Sequence, residues 1–139
     1  MRISAKSEYA CLAVLALAQR GGDTAPLRIR KISDAYGIPE RYLVQILLQL
    51  KGAGIVSSTR GSGGGYRLAR KATAISLSEI LKAIGASETP MRDPDTEAGV
   101  GAAVLASVWE DVRAAELSVL DRTTIAQLAE RCAAQEWVI

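Results

Sequence analysis

The chain has 139 residues, 49% of them hydrophobic, which is enough for one ordinary domain or for a small domain with an appendage. It contains no histidine and two cysteines, Cys11 and Cys132, so the usual neutral-pH general base is missing and one chain cannot supply a four-thiolate metal site. Residues 1–71 carry 12 Lys/Arg and 4 Asp/Glu, whereas residues 72–139 carry 5 and 11. This composition disfavours most enzymes and metalloproteins, and the basic part favours a polyanionic partner over a merely solvated surface.

The first predicted helix runs from Ser7 to about Arg20, where strong helix formers precede the glycines of "GGD" at 21–23. Its apolar run, "YACLAVLALA", follows Arg2 and Lys6 and so imitates a secretory signal. Glu8 interrupts the positive leader, and the run is too short to span a bilayer. We therefore expect a core helix in a cytoplasmic protein.

The next two predicted helices form a helix-turn-helix. The stretch "RIRKISDAYG" places Ile29, Ile32 and Tyr36 at helical spacing and ends at Gly37, a residue type suited to a left-handed helix end. Pro39 suits the first turn of the following helix, which ends at the "GAG" of residues 52–54. That helix carries an apolar stripe with the spacing of a buried face, namely Leu43, Ile46, Leu47 and Leu50. A short helix, a tight turn and a longer helix are typical of this motif.

A glycine-rich stretch, "STRGSGGGYRLAR" at 58–70, follows the helix-turn-helix. Its glycines match neither the spacing nor the strand-to-helix context of nucleotide-binding loops, and strand-like residues on both sides disfavour a flexible linker. Residues 55–68 instead predict a β-hairpin whose glycines allow a close backbone approach at its tip. A hairpin after a helix-turn-helix is a winged helix, and Arg60 and Arg67 lie beside the thin tip of this wing.

The second helix of the helix-turn-helix presents another face opposite its apolar stripe. That face begins with Glu40, Arg41, Val44, Gln45 and Leu48. Arginine can bridge guanine N7 and O6, glutamine can pair with adenine, and valine can contact a thymine methyl group. The first turns of such a helix reach base edges, and a wing arginine can enter a narrow minor groove. The combination indicates DNA recognition rather than a solvated surface.

Residues 72–139 predict a helix, a loop and two further helices. Ser76 or Ser78 can cap "LSEILKAIGA", and the polar, proline-bearing "SETPMRDPDTEAG" predicts a loop. A long helix from about 100 to 120 carries a coiled-coil seam, and Thr123 or Thr124 can cap a final helix. The seam favours homodimerisation, although the same face could pack on the chain's own winged helix.

The expected fold is therefore mainly α with a small β-hairpin: a winged helix-turn-helix domain plus a long dimerisation helix. We expect three parts. They are a DNA-binding domain at 1–84, a loop at 85–99, and the dimerisation and C-terminal helices at 100–139.

The assembled stretches resemble the Rrf2 family of bacterial transcription regulators over nearly the whole chain. The resemblance is carried by "MRISAKSEYA", "GIPERYLVQILLQLKGAGIV", "STRGSGGGYRLAR", and "ISLSEILKAI" with the later "VWEDV". It implies a winged-helix homodimer that binds palindromic operators in double-stranded DNA, with the long helices of two subunits crossing at the interface. A repressor is the expected form of regulator.

The residue patterns and the resemblance together give each candidate residue an expected role. The major groove is expected to be read by Glu40, Arg41, Val44 and Gln45. The wing is expected to enter the minor groove with Arg60, Gly61, Ser62, Gly63 and Gly64. Phosphates are expected to be contacted by Arg2, Lys6, Tyr9, Arg28 and Arg67. The dimer interface is expected to contain Leu105, Val108, Trp109, Val112, Ala115 and Val119.

Three departures from the family pattern qualify these expectations. Many relatives carry glutamate where Val44 stands, which implies a different base preference here. Proline often follows the first wing glycine in the family, and this chain has Ser62 there. Iron–sulfur members place three cysteines in the loop after Ile84, whereas residues 85–99 contain none, so we expect no cluster, no metal and no other cofactor.

The input signal stays open, because cluster-free relatives respond to other inputs, including a partner enzyme of cysteine synthesis. A small-molecule or protein effector is possible, and no membrane partner is expected. The alternative function is a protein interaction module, in which the winged helix docks a metabolic enzyme instead of DNA.

Overall fold

A computed structural model describes residues 3–20, 25–86 and 99–136 of the chain. The elements begin with three helices, α1 (Ala5–Ala18), α2 (Ile29–Tyr36) and α3 (Glu40–Gly52). A hairpin of β1 (Val56–Thr59) and β2 (Gly65–Leu68) follows, then a 3-10 turn at Ala72–Ala74. The last helices are α4 (Leu77–Ala83), α5 (Gly99–Arg122) and α6 (Ile125–Glu136). The expected fold class, mainly α with a small hairpin, is confirmed.

The first helix lies at the centre of the core. It begins two residues before the predicted start, because the hydroxyl of Ser4 accepts a hydrogen bond from the backbone N–H of Ser7 at 3.1 Å. Ala10, Ala13 and Val14 are completely buried, and α1 packs against α2, α3, α4, α6 and β2. The apolar run that imitates a secretory signal is therefore the core helix, as expected.

The turn between α2 and α3 follows from two residues with special backbone requirements. Gly37 ends α2 with a φ of +64°, in the left-handed region that favours glycine. Pro39 immediately precedes the first residue of α3, one position outside the helical turn predicted for it. The Ser33 hydroxyl donates a hydrogen bond to the Ile38 carbonyl across this turn. The stripe on α3 is buried as predicted: Leu43, Ile46, Leu47 and Leu50.

The wing is an antiparallel hairpin that docks on the chain just before α2. Its register runs from Val56 opposite Leu68 to Thr59 opposite Gly65. Tyr66 also pairs with Leu27, each backbone N–H donating to the other residue's carbonyl at 2.8 Å. A Cβ atom on Gly65 would lie 2.5 Å from the carbonyl oxygen of Leu27, and Gly65 has a φ of +148°. Close approach of the Leu27 backbone to the hairpin therefore requires glycine at position 65.

The C-terminal helices return to the core through backbone hydrogen bonds. Ser76 caps α4 in a capping box with Glu79, which decides between the two predicted serines. The Leu77 N–H donates to the Thr123 carbonyl at 3.0 Å, and the Ile125 N–H donates to the Ile75 carbonyl at 2.9 Å. These bonds hold the start of α4 against the junction of α5 and α6.

The final helix begins with a reciprocal side-chain cap. The Thr124 hydroxyl accepts from the Gln127 N–H at 3.2 Å, and the Gln127 side chain accepts from the Thr124 N–H at 3.0 Å. Thr123 instead donates its hydroxyl to the Val119 carbonyl at 2.6 Å, so Thr124 is the cap. Ile125 is completely buried, and α6 packs against α1.

Both cysteines are free thiols. Burial of Cys11 in α1, reinforced by the nearby carboxylate of Glu8, raises the pKa of its thiol from 9.0 to about 11. The group is therefore protonated at neutral pH and behaves as a small apolar side chain. Within the described residues, no helix combines the length and apolar content that crossing a bilayer requires.

Leu47 and Leu48 lie on the buried and the exposed face of α3, so their substitution compares what each face contributes to stability. We expect Leu47→Ala to lower the free energy of unfolding by about 3 kcal/mol, because it removes a buried side chain and leaves a cavity. Leu48→Ala is the matched control, since Leu48 is 67% exposed and its truncation should change stability by no more than about 0.5 kcal/mol. Urea unfolding measures both; equal losses would contradict this division.

Two wing glycines provide a second comparison. Gly65→Ala should destabilise the hairpin by about 2 kcal/mol, because the new methyl group meets the Leu27 backbone at an unfavourable φ. Gly63→Ala is the control, since a Cβ atom there meets nothing within 4 Å and its φ is not in the left-handed region. Hydrogen exchange of the Tyr66 amide reports the Leu27 pairing directly. Unchanged protection in Gly65→Ala would show that the close approach is not needed.

Candidate nucleic-acid interface

The exposed face of α3 carries all four side chains expected to read the major groove. Glu40, Arg41, Val44 and Gln45 are exposed, while the leucines and isoleucine on the opposite face are buried. At 3.6 residues per turn, Arg41, Val44 and Gln45 lie on one side of the helix. The helix therefore presents hydrogen-bonding groups and an apolar side chain together at its N-terminal end.

Arg41 rests on an aromatic pair that joins α3 to α1. Its guanidinium carbon lies 4.9 Å from the ring centroid of Tyr42, and one guanidinium nitrogen donates to the Tyr42 hydroxyl at 3.4 Å. The Tyr42 ring in turn lies 6.1 Å from that of Tyr9, centroid to centroid. This contact brings the two expected site residues, Tyr9 and Arg41, to the same end of the domain.

Tyr42 lies beside the candidate residues, although the sequence pattern does not single it out. It is half exposed and lies between the buried stripe and the reading face of α3, so helical periodicity assigns it to neither. Its position one residue after Arg41 is the available signal, but the stacking on Tyr9 depends on how α1 and α3 pack. Lys6 is half-buried near the start of α1, and Arg2 lies outside the described residues.

The wing tip consists of exposed residues supported by one buried glycine. Arg60, Gly61, Ser62 and Gly63 are exposed, and Gly61 has a φ of +101°. Gly64 is buried beneath the turn, where its N–H donates to the Gly61 carbonyl at 3.0 Å. A Cβ atom on Gly64 would lie 2.2 Å from the Thr59 carbonyl oxygen, so the turn requires glycine there.

Arg28 connects the start of α2 to the wing tip. Its guanidinium donates a hydrogen bond to the carbonyl of Ser62, 34 residues later in the chain. The neighbouring Leu27 pairs with Tyr66 in the half of β2 next to the tip, so two consecutive residues hold the tip and the strand beside it. Arg67 is exposed on β2 opposite Ser57, and its contact with a phosphate stays a prediction.

The surface of residues 25–71 is strongly basic. This part of the chain has nine Lys/Arg, all exposed, and two Asp/Glu, Asp34 and Glu40. Arg70 is paired with Glu79 at 3.0 Å, and the exposed position of that pair leaves it screened by solvent. A surface with this balance attracts phosphate-rich polymers over distances of about a Debye length.

The long helix α5 presents a second candidate surface. None of its 24 residues is buried, and its apolar side chains face outward along much of the helix. The six side chains expected at the dimer interface are all exposed: Leu105, Val108, Trp109, Val112, Ala115 and Val119. A continuous apolar row on an exposed helix is typical of an interface with another helix.

The described residues do not bring together the ligands of a metal site. Cys11 holds its proton because of burial, and residues 85–99 contain no cysteine. Among the described residues, no three histidine, cysteine, aspartate or glutamate side chains cluster as metal ligands would. The donor set described here therefore does not fit an iron–sulfur cluster, which thiolates normally hold.

Comparison with known proteins assigns the chain to a family. A family model described as Rrf2, iron-dependent transcriptional regulator, matches residues 3–131. A Mycobacterium tuberculosis protein named as an HTH-type transcriptional regulator is 39% identical over 132 residues, covering 93% of this chain and 81% of that protein.

Solved structures are similar over the same extent. CymR, the global cysteine regulator of B. subtilis, has a TM-score of 0.82 at 30% identity, covering 94% of this chain and 98% of that chain. IscR of T. potens has a TM-score of 0.77 at 32% identity, covering 95% and 88%. The chain belongs to the Rrf2 family of transcription regulators, and it is a transcriptional regulator with a DNA-binding winged helix rather than an enzyme.

Proposed function

We propose that this regulator is a homodimeric repressor that binds a palindromic operator and holds no iron–sulfur cluster. The observation that carries the proposal is the exposed reading face of α3, combined with a glycine-tipped wing on a surface of nine basic and two acidic residues. Repression requires only that the bound dimer occupies DNA that polymerase needs. Such a regulator would work in the cytoplasm, where a bacterial chromosome lies.

The reading of bases is assigned to the first turns of α3. Arg41 can leave the Tyr42 ring at a cost of about 1 kcal/mol, because exposed cation–π contacts are weak, and can then bridge guanine N7 and O6. Gln45 can pair with adenine, and Val44 can contact a thymine methyl group. Glu40, at the start of the helix, can accept from a cytosine amino group.

The wing supplies contacts of a different kind. Arg60 precedes an exposed tip of small residues, so its guanidinium can enter a minor groove without steric hindrance from neighbours. Lys6, Tyr9 and Arg67 are assigned to phosphates, which position the protein without reading sequence. Arg28 either contacts a phosphate itself or holds the tip through the Ser62 carbonyl, and both actions favour binding.

The dimer is assigned to α5. A helix of 24 residues is about 36 Å long, and its apolar row is not covered by the rest of the described chain. Pairing two such helices about a twofold axis buries both rows and presents two recognition helices to two half-sites. A small-molecule or protein effector could then act by changing how the helices pack, because this would change the half-site spacing.

The absence of a cluster is proposed from the chain's own residues. Although the family model is described as iron-dependent, this sequence has no cysteine at 85–99 and holds Cys11 protonated. Control by iron through a cysteine-bound cluster in that loop is therefore not part of the proposed mechanism.

Operator binding is tested with duplexes selected from a random pool by the purified protein. Arg60→Ala should weaken binding to the selected duplex about tenfold in a fluorescence anisotropy titration, because one guanidinium is lost from the minor groove. Arg131→Ala on α6 is the matched control and should bind normally. Gln45→Ala should instead change which duplexes are selected. Failure to select any sequence, or binding without salt dependence, would contradict the function.

The dimer is tested by placing a charge in the apolar row of α5. Val112→Glu should convert the dimer to monomers in sedimentation experiments, because the symmetric interface would bury two like charges. The fold should survive, since Val112 is 42% exposed within its own chain. Ala114→Glu, on the other side of α5, is the control and should stay dimeric. A monomeric parent protein would contradict the assignment.

A further inference from the structure

Two branched apolar side chains stand on the solvent side of the recognition helix. Val44 is 52% exposed and Leu48 is 67% exposed. Leu48 is the most exposed large apolar side chain in the described part of the helix-turn-helix and wing. Residues four apart on a helix have Cβ atoms about 5–6 Å apart, so the two side chains form one short apolar ridge.

The ridge lies in the middle of the face that points away from the core. Taking 100° per residue, Leu48 and Arg41 lie nearly opposite the buried stripe, with Val44 and Gln45 on either side of them. The four positions have the i, i+3, i+4, i+7 spacing by which recognition helices reach successive base pairs in the major groove. Leu48 therefore belongs to the reading face, one turn beyond Val44.

The polar and basic residues around the ridge favour DNA over a protein as the surface that covers it. Arg41 and Gln45 flank it, Lys51 lies one turn further on, and the surface of residues 25–71 is strongly basic. An apolar protein groove would have to desolvate these polar groups, whereas the major groove offers them phosphates and base edges. The apolar group that the four unmodified bases present in that groove is the C5-methyl group of thymine.

We propose that Val44 and Leu48 read a pair of thymine methyl groups in each operator half-site, a role that rests on the proposed function. Four residues of helix advance about 6 Å, and successive base pairs lie about 3.4 Å apart. The two methyl groups therefore lie within about two base pairs of each other, on one strand or on opposite strands. Arg41 and Gln45 read the adjoining positions by hydrogen bonds.

To test the proposed contacts with thymine, the methyl groups are removed from the DNA one at a time. In the selected duplex, each thymine of one half-site is replaced in turn by deoxyuridine, which keeps every hydrogen-bonding group and loses only the methyl. At two positions affinity should fall about fourfold, the effect of burying one methyl group. Replacement in both half-sites should multiply the losses to about sixteenfold.

Protein variants connect each methyl group to a side chain. Leu48→Ala should lose the deoxyuridine effect at one position and keep it at the other, and Val44→Ala should do the reverse. Unfolding in urea confirms that Leu48→Ala is folded. If all deoxyuridine duplexes bind like the parent while selection still yields a defined operator, the methyl reading is wrong and the proposed function stands. If no operator is selected, the proposed function itself is wrong.

Discussion

The burial of α1 on almost every side is the constraint on which the other elements depend. Its small residues Ala10, Ala13 and Ala16 let neighbours approach closely, and α2, α3, α4, α6 and β2 all pack against it. The reading helix and the wing consequently rest on one common support. Their separation is set by close packing on α1 as well as by the short turn between α3 and β1.

Local signals predict the ends of most elements, but some choices depend on packing. Gly37 and Pro39 act on their own neighbours, so the turn between α2 and α3 could be predicted closely from sequence. Ser76 and Ser78 could both cap a helix, and the choice is made where Leu77 bonds to Thr123, far along the chain. Thr123 and Thr124 could likewise both cap α6. The choice falls on Thr124 because the Thr123 hydroxyl donates to the Val119 carbonyl at the end of α5.

In the candidate site, too, some features could be predicted from local sequence and others depend on packing. Helical periodicity alone predicts that Val44, Gln45 and Leu48 face away from the core, and their exposure agrees. The hydrogen bond from Arg28 to Ser62 spans 34 residues, and the burial of Gly64 depends on the shape of the turn above it, so neither has a sequence signature. The partner of α5 could not be predicted either, because an apolar row does not identify what covers it.

The two faces of α3 share no residues: one consists of completely buried apolar side chains, and the other of side chains that contribute little to the core. With the proposed reading of bases by these exposed side chains, operator preference can change by substitution at positions where the fold imposes almost no selection. After gene duplication, such a regulator could acquire a new set of target promoters in single steps, each passing through a folded intermediate. Because the buried face of α3 maintains the fold and the exposed face does not, substitutions on the exposed face can accumulate without loss of stability.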